Sequence, residues 1–181
     1  LSTLLLMPAT WAVEIRPDAL VEETAQEVLK IIKRDKDTLS GDKEKILNLV
    51  KSKILPHFNF TRMTRLAMGK NWSKASPQQQ QELEEAFRTL LVRTYYKALA
   101  VYSDHTIKVS PVTNMAGETD ATVKTEIVPP NGQAVSINYS MEKTNGAWKI
   151  YDITVAGISL VINYRGTFNS KIRSGGVKRL L

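Results

Sequence analysis

The chain has 181 residues, of which 43% are hydrophobic, and this indicates one domain with a sizeable core. The formal net charge of +7 is compatible with nucleic acid, an anionic membrane surface or simple solubility, because the basic residues are dispersed along the chain. No cysteine is present, which excludes disulfides, a thiol nucleophile and a cysteine-ligated zinc site.

The first residues, LSTLLLMPATWA, are typical of the end of a signal peptide. An apolar run is followed by Thr10 and Ala12 at the spacing of a cleavage site. We expect residues 1–12 to be a signal-peptide remnant, residues 13–181 to form a single domain, and the protein to be exported. The alternative is a buried N-terminal segment. No later stretch reaches the ~18 apolar residues that a membrane span needs.

Apolar residues at helical spacing then predict three helices. The first opens at Pro17 and continues to the basic end at Arg34. The second begins near Asp42 and ends before Pro56. A shorter third helix follows and closes at Gly69.

The clearest helix start in the sequence is Ser76 followed by Pro77, a capping oxygen and then a residue without an N–H. Apolar spacing continues from there to Val101. At 1.5 Å per residue this fourth helix spans about 37 Å, which is long enough to form one side of a deep cavity.

After residue 102 the apolar period changes from helical to alternating, which predicts β-strands. Short turn signals, including Asn145–Gly146, separate the strands and favour an antiparallel meander. The alternating residues are Ile107, Val109 and Pro111; Ala121, Val123, Thr125 and Ile127; Val135, Ile137, Tyr139 and Met141; and then Lys149 to Val155. Helices first, four strands next and a helix last predict an α+β fold.

The last strand and helix lie in the stretch WKIYDITVAGISLVINYRGTF, residues 148–168. Strict alternation puts Trp148 and Ile150 on one face of the strand, and Tyr151, Ile153 and Val155 on the other. A strand with two apolar faces is expected to be covered on both sides. Gly157 turns the chain, and a helical stripe of Leu160, Tyr164 and Phe168 should fold back onto the sheet.

Few residues indicate catalysis or metal binding. His57 and His105 are isolated, so neither predicts a metal site, and no nucleophile motif or phosphate loop is present. Asp152 is the one candidate acid, and we expect it to be a structural residue paired with Arg165 or Tyr164. The aromatic residues fall on apolar stripes rather than among basic ones, which argues against nucleic-acid binding.

More apolar surface is present than one sheet needs. The helices and sheet can enclose a solid core, or they can separate and leave an apolar pocket for a hydrophobic ligand. The pattern alone leaves both alternatives open.

Two segments resemble a known family. The sequence FNFTRMTRLAMGKNW, continuing through KASPQQQQELEEAFRTLLVRTYYKAL, and the stretch 148–168 both resemble the MlaC family, the toluene-tolerance phospholipid-binding proteins of the Gram-negative periplasm. The likeness covers most of the chain from about Pro17. It implies a fold of several N-terminal helices, a four-stranded sheet and a C-terminal helix that enclose an apolar pocket.

The resemblance also implies a function, which is a periplasmic carrier that shuttles phospholipid between the outer membrane and an inner-membrane ABC transporter and so maintains outer-membrane lipid asymmetry. The implied partners are a diacyl phospholipid, the lipid-binding subunit of that transporter and an outer-membrane lipoprotein–porin complex, with no cofactor, metal or nucleic acid. The alternatives are a ligand-free interaction module of a membrane complex and a small enzyme acting on a hydrophobic substrate. We prefer the carrier to an enzyme.

Combining the resemblance with the predicted apolar faces gives ten candidate contacts for the lipid tails. They are Phe87, Leu91, Ile137, Tyr139, Trp148, Ile150, Ile153, Val155, Leu160 and Tyr164. The chain departs from the family pattern at Ala156, where relatives often have an acid, and at Leu181, beyond which they tend to continue through a short helix.

Overall fold

A computed structural model describes residues 15–35, 42–101, 104–113 and 115–181, so the predicted signal-peptide remnant lies outside the described residues. The α-helices are α1 (Pro17–Arg34), α2 (Lys43–Leu49), α3 (Phe60–Met68), α4 (Pro77–Val101) and α5 (Leu160–Gly175). The strands are β1 (Thr106–Val109), β2 (Asp120–Val128), β3 (Val135–Thr144), β4 (Ala147–Val155) and β5 (Ile158–Ser159). Shorter helical turns are a π-helix (Val50–Ile54) and three 3-10 segments (Leu55–His57, Gly69–Lys74 and Val177–Arg179).

The helix starts agree with their sequence signals. The Ser76 hydroxyl accepts a hydrogen bond from Gln79 N at 3.2 Å, and the Gln79 side chain accepts one from Ser76 N at 3.0 Å. This reciprocal capping box begins α4. Asn59 caps α3 by accepting from Arg62 N, and Gly69, at φ +54°, ends it. The predicted α1, α3 and α4 are confirmed.

The second predicted helix is regular only as far as Leu49. It continues as the π-helix Val50–Ile54 and the 3-10 segment Leu55–His57. Two sequence features favour this departure. The Ser52 hydroxyl donates to the Asn48 carbonyl at 2.8 Å and competes with the regular backbone ladder, and Pro56 has no N–H to offer that ladder.

The sheet is an antiparallel meander in the order β1-β2-β3-β4-β5, so the predicted topology is confirmed but the strand count of four is wrong. Ala156 (φ +48°) and Gly157 (φ +83°) form a two-residue turn after β4. The chain then pairs Ile158 with Val155 before α5 begins. A two-residue strand has too few residues for an alternating pattern to reveal it. The first strand also ends earlier than predicted, at Val109.

The predicted faces of β4 are also wrong. A bulge places Met141 opposite Ile150 and Ser140 opposite Asp152, so that Tyr151 has no partner across the ladder. The extra residue shifts the alternation by one position. Trp148, Ile150, Ile153 and Val155 therefore share one face of β4, opposite Lys143, Met141, Tyr139 and Ile137. We call this the inner face of the sheet, and the opposite one, which carries exposed Thr122, Lys124 and Glu126, the outer face.

The buried side chains form three apolar clusters rather than one. The helical cluster joins α3, α4 and α5 around Met63, Phe87 and Phe168. The sheet cluster places Val21 of α1 against Val123, Met141, Trp148 and Ile150 of the inner face. The third cluster joins the second half of α1 to α2 through Val28, Ile32, Ile46 and Leu49, with Tyr96 of α4 at its margin.

Asp18 holds the start of α1 against the connection that follows β1. Its carboxylate accepts from Val112 N at 2.9 Å and pairs with the Arg16 guanidinium at 3.0 Å. The Arg16 hydrogen bond, opposed by burial, lowers the pKa of Asp18 to about 2. This contact fixes α1 over the inner face.

Candidate functional site

The inner face of the sheet changes from fully buried at one end to half-buried at the other. Val123 and Met141 are 0% exposed beneath α1. Further along, Ile137 lies opposite Val155 and Tyr139 lies opposite Ile153, and these four side chains are only half-buried. Among the described residues, no helix packs extensively against β3. The middle of the sheet therefore presents apolar side chains that the rest of the described chain leaves partly uncovered.

Tyr139 brings a polar atom to this surface without bringing a charge. Burial raises the pKa of the Tyr139 hydroxyl, and a hydrogen bond with Thr125 opposes the shift. Thr125 in turn donates to the Ile137 carbonyl at 2.8 Å. The tyrosine therefore stays neutral at physiological pH and adds mainly the apolar face of its ring.

On the helical side, three aromatic rings connect α4 with α5. The Phe87 ring centroid lies 5.2 Å from that of Tyr164 and 5.2 Å from that of Phe168, both in edge-to-face geometry. Burial raises the pKa of Tyr95 on α4, and the neighbouring Tyr164 adds to this shift. These contacts confirm that Tyr164 and Phe168 of the predicted stripe turn inward, where they meet α4.

The ten predicted tail contacts fall into two groups by burial. Phe87, Leu91, Trp148 and Ile150 are buried, whereas Ile137, Tyr139, Ile153, Val155, Leu160 and Tyr164 are half-buried. They do not meet in one cluster. Phe87, Leu91 and Tyr164 belong to the helical cluster, and Tyr139, Trp148, Ile150 and Ile153 belong to the sheet cluster.

Sequence reasoning did not include Phe58 among the site residues. The structure shows that Phe58 packs against both of these clusters. Its backbone forms a parallel bridge with Ile150, and Asn59 N donates to the Ile150 carbonyl at 2.8 Å. The segment before α3 thus runs along the edge of β4. Phe58 opens the family-like motif FNFTRMTRLAMGKNW, but a single apolar residue between Pro56 and the start of α3 has no periodicity that would assign it to a cluster.

A half-buried polar network fixes α3 to the sheet. The Arg62 guanidinium pairs with Glu142 and with Asp120, and it lies 3.6 Å from the centre of the Tyr151 ring. Asn59 adds a hydrogen bond of 2.7 Å to Glu142. The bulge at Tyr151 is what brings this ring beneath the arginine.

The Asp152 side chain is hydrogen-bonded at the start of α5, whereas the sequence predicted that it pairs with Arg165 or Tyr164. Its carboxylate accepts from the Ser159 hydroxyl, from Ile153 N at 2.8 Å and from Val161 N at 3.1 Å. Ser159 also caps α5 by accepting from Ile162 N. Arg165 donates instead to the Leu66 carbonyl at 2.8 Å. The expected structural role of Asp152 holds, but its partners differ.

Within the described ranges, no group of three acidic or histidine side chains is arranged to hold a metal ion. His57 lies beside Lys149, and burial together with that positive charge lowers its pKa. No helix in the described part of the chain is both long and apolar enough to cross a membrane.

A groove of about 660 Å³ opens where the segment before α3 meets α4 and the β3–β4 hairpin. The side chains that line it are Lys51, Leu55, Pro56, Phe58, Asn59, Phe60, Thr61, Glu84, Glu85, Arg88, Thr144 and Lys149. Phe58 and Phe60 are stacked with ring centroids 5.6 Å apart. The groove therefore combines an aromatic surface with charged side chains of both signs.

These features define an α+β domain with N-terminal helices, an antiparallel meander sheet whose inner face is apolar, and a C-terminal helix. The chain belongs to the MlaC protein family, because the sequence profile of that family matches residues 22–181. This confirms the family resemblance.

Individual relatives support the same assignment. The chain is 23% identical over 176 residues to the intermembrane phospholipid transport system binding protein MlaC of Haemophilus influenzae, covering 93% of this chain and 82% of that protein. It is 26% identical over 161 residues to the toluene tolerance protein ttg2D of Pseudomonas putida, covering 88% and 74%. A phospholipid-binding protein from Ralstonia solanacearum, solved in complex with a phospholipid, is 38% identical with a TM-score of 0.82, covering 90% of this chain and 91% of that one.

Proposed function

We propose that this protein binds a diacyl phospholipid and carries it through the periplasm between the outer membrane and an inner-membrane ABC transporter. The observation that carries the proposal is the R. solanacearum relative, which matches 90% of this chain at a TM-score of 0.82 and was solved with a phospholipid bound. In this proposal, the transport maintains the lipid asymmetry of the outer membrane.

The acyl tails are proposed to lie between the inner face of the sheet and helices α4 and α5. The half-buried residues supply the direct contacts in this scheme, and they are Ile137, Tyr139, Ile153, Val155, Leu160 and Tyr164. Phe87, Leu91, Trp148 and Ile150 are buried among other side chains and support the pocket from behind. Half-burial supports this division, since a side chain that lines a ligand site is not fully covered by the protein's own side chains.

The energetics suit a carrier. Two acyl chains contain about 30 methylenes, and at about 0.8 kcal/mol each their transfer out of water yields roughly 25 kcal/mol, beyond the ceiling of ordinary affinity. Transfer from a bilayer to an equally apolar pocket nearly cancels this free energy, so exchange at a membrane can be reversible. The tails must remain shielded throughout, and handover therefore requires docking on a membrane protein.

The proposed docking partners are the lipid-binding subunit of the ABC transporter and an outer-membrane lipoprotein–porin complex. The net charge of +7 would attract acidic surfaces and anionic head groups. Docking through such charges should weaken as ionic strength rises. Affinity for these partners that does not change with salt would contradict a role for the charge.

Catalysis is not part of the proposal. Asp152, the one acid that the sequence offered for chemistry, has both carboxylate oxygens engaged at the start of α5. A general acid or base needs an oxygen that can reach a substrate proton. The contacts of Asp152 therefore favour a structural role.

Native mass spectrometry of protein purified without detergent tests the proposal. We expect an added mass that organic extraction identifies as a diacyl phospholipid in a one-to-one ratio. The chain purified with no added mass, and unable to take up lipid from vesicles, would contradict the proposal. The ligand-free interaction module would then be the better description.

A further inference from the structure

The groove beside α4 has opposite charges on its two sides. The π-helix and β4 contribute Lys51 and Lys149, while α4 contributes Glu84, Glu85 and Arg88. Arg88 pairs with Glu84 at 3.1 Å and with Glu85 at 2.9 Å, so the α4 side carries one net negative charge. The lysine side carries two positive charges.

Lys149, Glu84 and Arg88 are held in place by contacts with the rest of the fold. Lys149 Nζ donates to the Pro56 carbonyl at 2.6 Å, which leaves two of its three N–H donors for another acceptor. Glu84 accepts from the Thr61 hydroxyl at 2.7 Å, and the Arg88 guanidinium lies 4.9 Å from the centre of the Phe60 ring. A ligand in the groove would therefore meet these three charges at positions set by the fold.

The groove also adjoins the apolar interior. Phe58 forms part of its lining and packs against both the helical cluster and the sheet cluster. A volume of about 660 Å³ is within the usual range of ligand sites, about 300–1,000 Å³. A molecule with an apolar end directed towards Phe58 and a charged end between the lysines and α4 would match the lining.

We propose that this groove binds the phospholipid head group, with the phosphate at Lys51 and Lys149 and a positively charged amine at the Glu84–Glu85–Arg88 side. This inference rests on the proposed function and adds a head-group preference to it. A zwitterionic head group can satisfy both sides of the groove. A head group that carries only a negative charge satisfies the lysine side alone, so the protein should prefer phosphatidylethanolamine to phosphatidylglycerol.

The test is a competition between two lipids with identical tails. Delipidated protein is incubated with vesicles of equimolar dioleoyl-phosphatidylethanolamine and dioleoyl-phosphatidylglycerol, recovered, and extracted for mass spectrometry. Total lipid per protein reports the proposed function, and the ratio of the two lipids reports the inference. We expect enrichment of phosphatidylethanolamine by about two- to five-fold, the range of an exposed ion pair, and a smaller ratio at high salt.

Variants that replace a charged side chain with glutamine test which residues cause the head-group preference. Glu85→Gln neutralises the groove acid with the more exposed side chain, 66%, and should bring the ratio of the two lipids close to one. Lys51→Gln combined with Lys149→Gln should lower total uptake of both lipids by a similar factor of about two to five. Lys97→Gln on α4 and Glu118→Gln before β2 are exposed, lie outside the groove, and should change neither quantity.

The outcomes separate the inference from the proposed function. One lipid per protein, with a ratio of one that no groove variant changes, would overturn the head-group site and leave the carrier intact. No lipid uptake by the unmodified chain would overturn both. A groove that binds a free anion is distinguished by titration with inorganic phosphate and with glycerophosphoethanolamine, monitored by NMR of the lysine side chains. Tighter binding of inorganic phosphate would assign the groove to the free anion and overturn the head-group site.

Discussion

One substitution made at two places on the inner face distinguishes a ligand pocket from a solid core. Val155 of β4 is half-buried, whereas Val123 of β2 is 0% exposed. Valine-to-threonine keeps the side chain branched at Cβ and nearly unchanged in shape, and it replaces one methyl group with a hydroxyl. Because both positions lie on the same face of the same sheet, any difference in effect reports the surroundings of each.

The expected magnitudes follow from whether water can reach the new hydroxyl. Water cannot reach a hydroxyl at position 123, so Val123→Thr should lower the free energy of unfolding by about 1–3 kcal/mol with or without lipid. At Val155 the hydroxyl is hydrated in the lipid-free protein, and the cost should stay below about 0.5 kcal/mol. An acyl chain would remove that water, so Val155→Thr should weaken lipid binding by about 1–3 kcal/mol, roughly 5- to 150-fold.

Urea unfolding followed by tryptophan fluorescence measures these differences on delipidated and dioleoyl-phospholipid-loaded protein. Bound lipid raises the free energy of unfolding by mass action, so the gain on loading reports lipid affinity. We expect the gain to shrink for Val155→Thr and to remain unchanged for Val123→Thr. If Val155→Thr destabilises the lipid-free protein as much as Val123→Thr does, and the gain is unaltered, the reasoning is refuted at this position and Val155 belongs to a solid core.

Three further predictions concern the supporting structure. Phe87→Ala should lower the free energy of unfolding by about 3–5 kcal/mol in urea, because the ring is 2% exposed among aromatic neighbours. Asp152→Asn should cost about 1 kcal/mol through the start of α5 and leave lipid uptake unchanged, and a folded variant without uptake would contradict the structural role. The pKa of Asp18 is lowered to about 2, so its stabilisation is complete above its unfolded value near pH 4 and is lost as the pH falls through 2. Asp18→Asn should therefore lose about 1–2 kcal/mol at pH 7 in urea, and its difference from the unmodified chain should shrink between about pH 4 and pH 2.

Local signals predicted the start of α4 and the β3–β4 turn correctly. Ser76 and Pro77 placed the start of α4 because the capping oxygen and the missing N–H act within one helical turn. Asn145 and Gly146, with φ values of +51° and +77°, turn β3 into β4 because few residues adopt two successive positive φ angles. In both cases the residues that cause the feature lie within four residues of it, so the sequence alone is sufficient to predict it.

The bulge in β4 could not be predicted in this way. Alternation gives correct faces only if every residue of one strand faces one residue of the next, and Tyr151 breaks that condition. Its stabilising contact is with Arg62, which is far away in sequence. Correcting for the bulge moves Ile153 and Val155 to the same face as Trp148 and Ile150, which makes the inner face more apolar than the sequence suggested.

The division of the candidate site also depends on distant contacts. Hydrophobicity selected Trp148 and Val155 equally. Their packing differs, because Trp148 is buried in the sheet cluster with Val21 of α1, whereas Val155 is half-buried. Periodicity reports which way a side chain points. It does not report what lies opposite, so a pocket and a core have the same sequence pattern.

The three separate clusters offer a physical reason why the proposed carrier would remain folded on releasing its ligand. Side chains such as Met63 and Val123, 1% and 0% exposed, are buried within their own clusters and do not depend on a ligand. Half-buried residues such as Ile137 and Val155 contribute less burial to the fold, so exposing them on release would cost less than opening a core. A single continuous core would couple ligand loss to unfolding. Separate clusters would confine the change to the half-buried surface, as the proposed reversible loading requires.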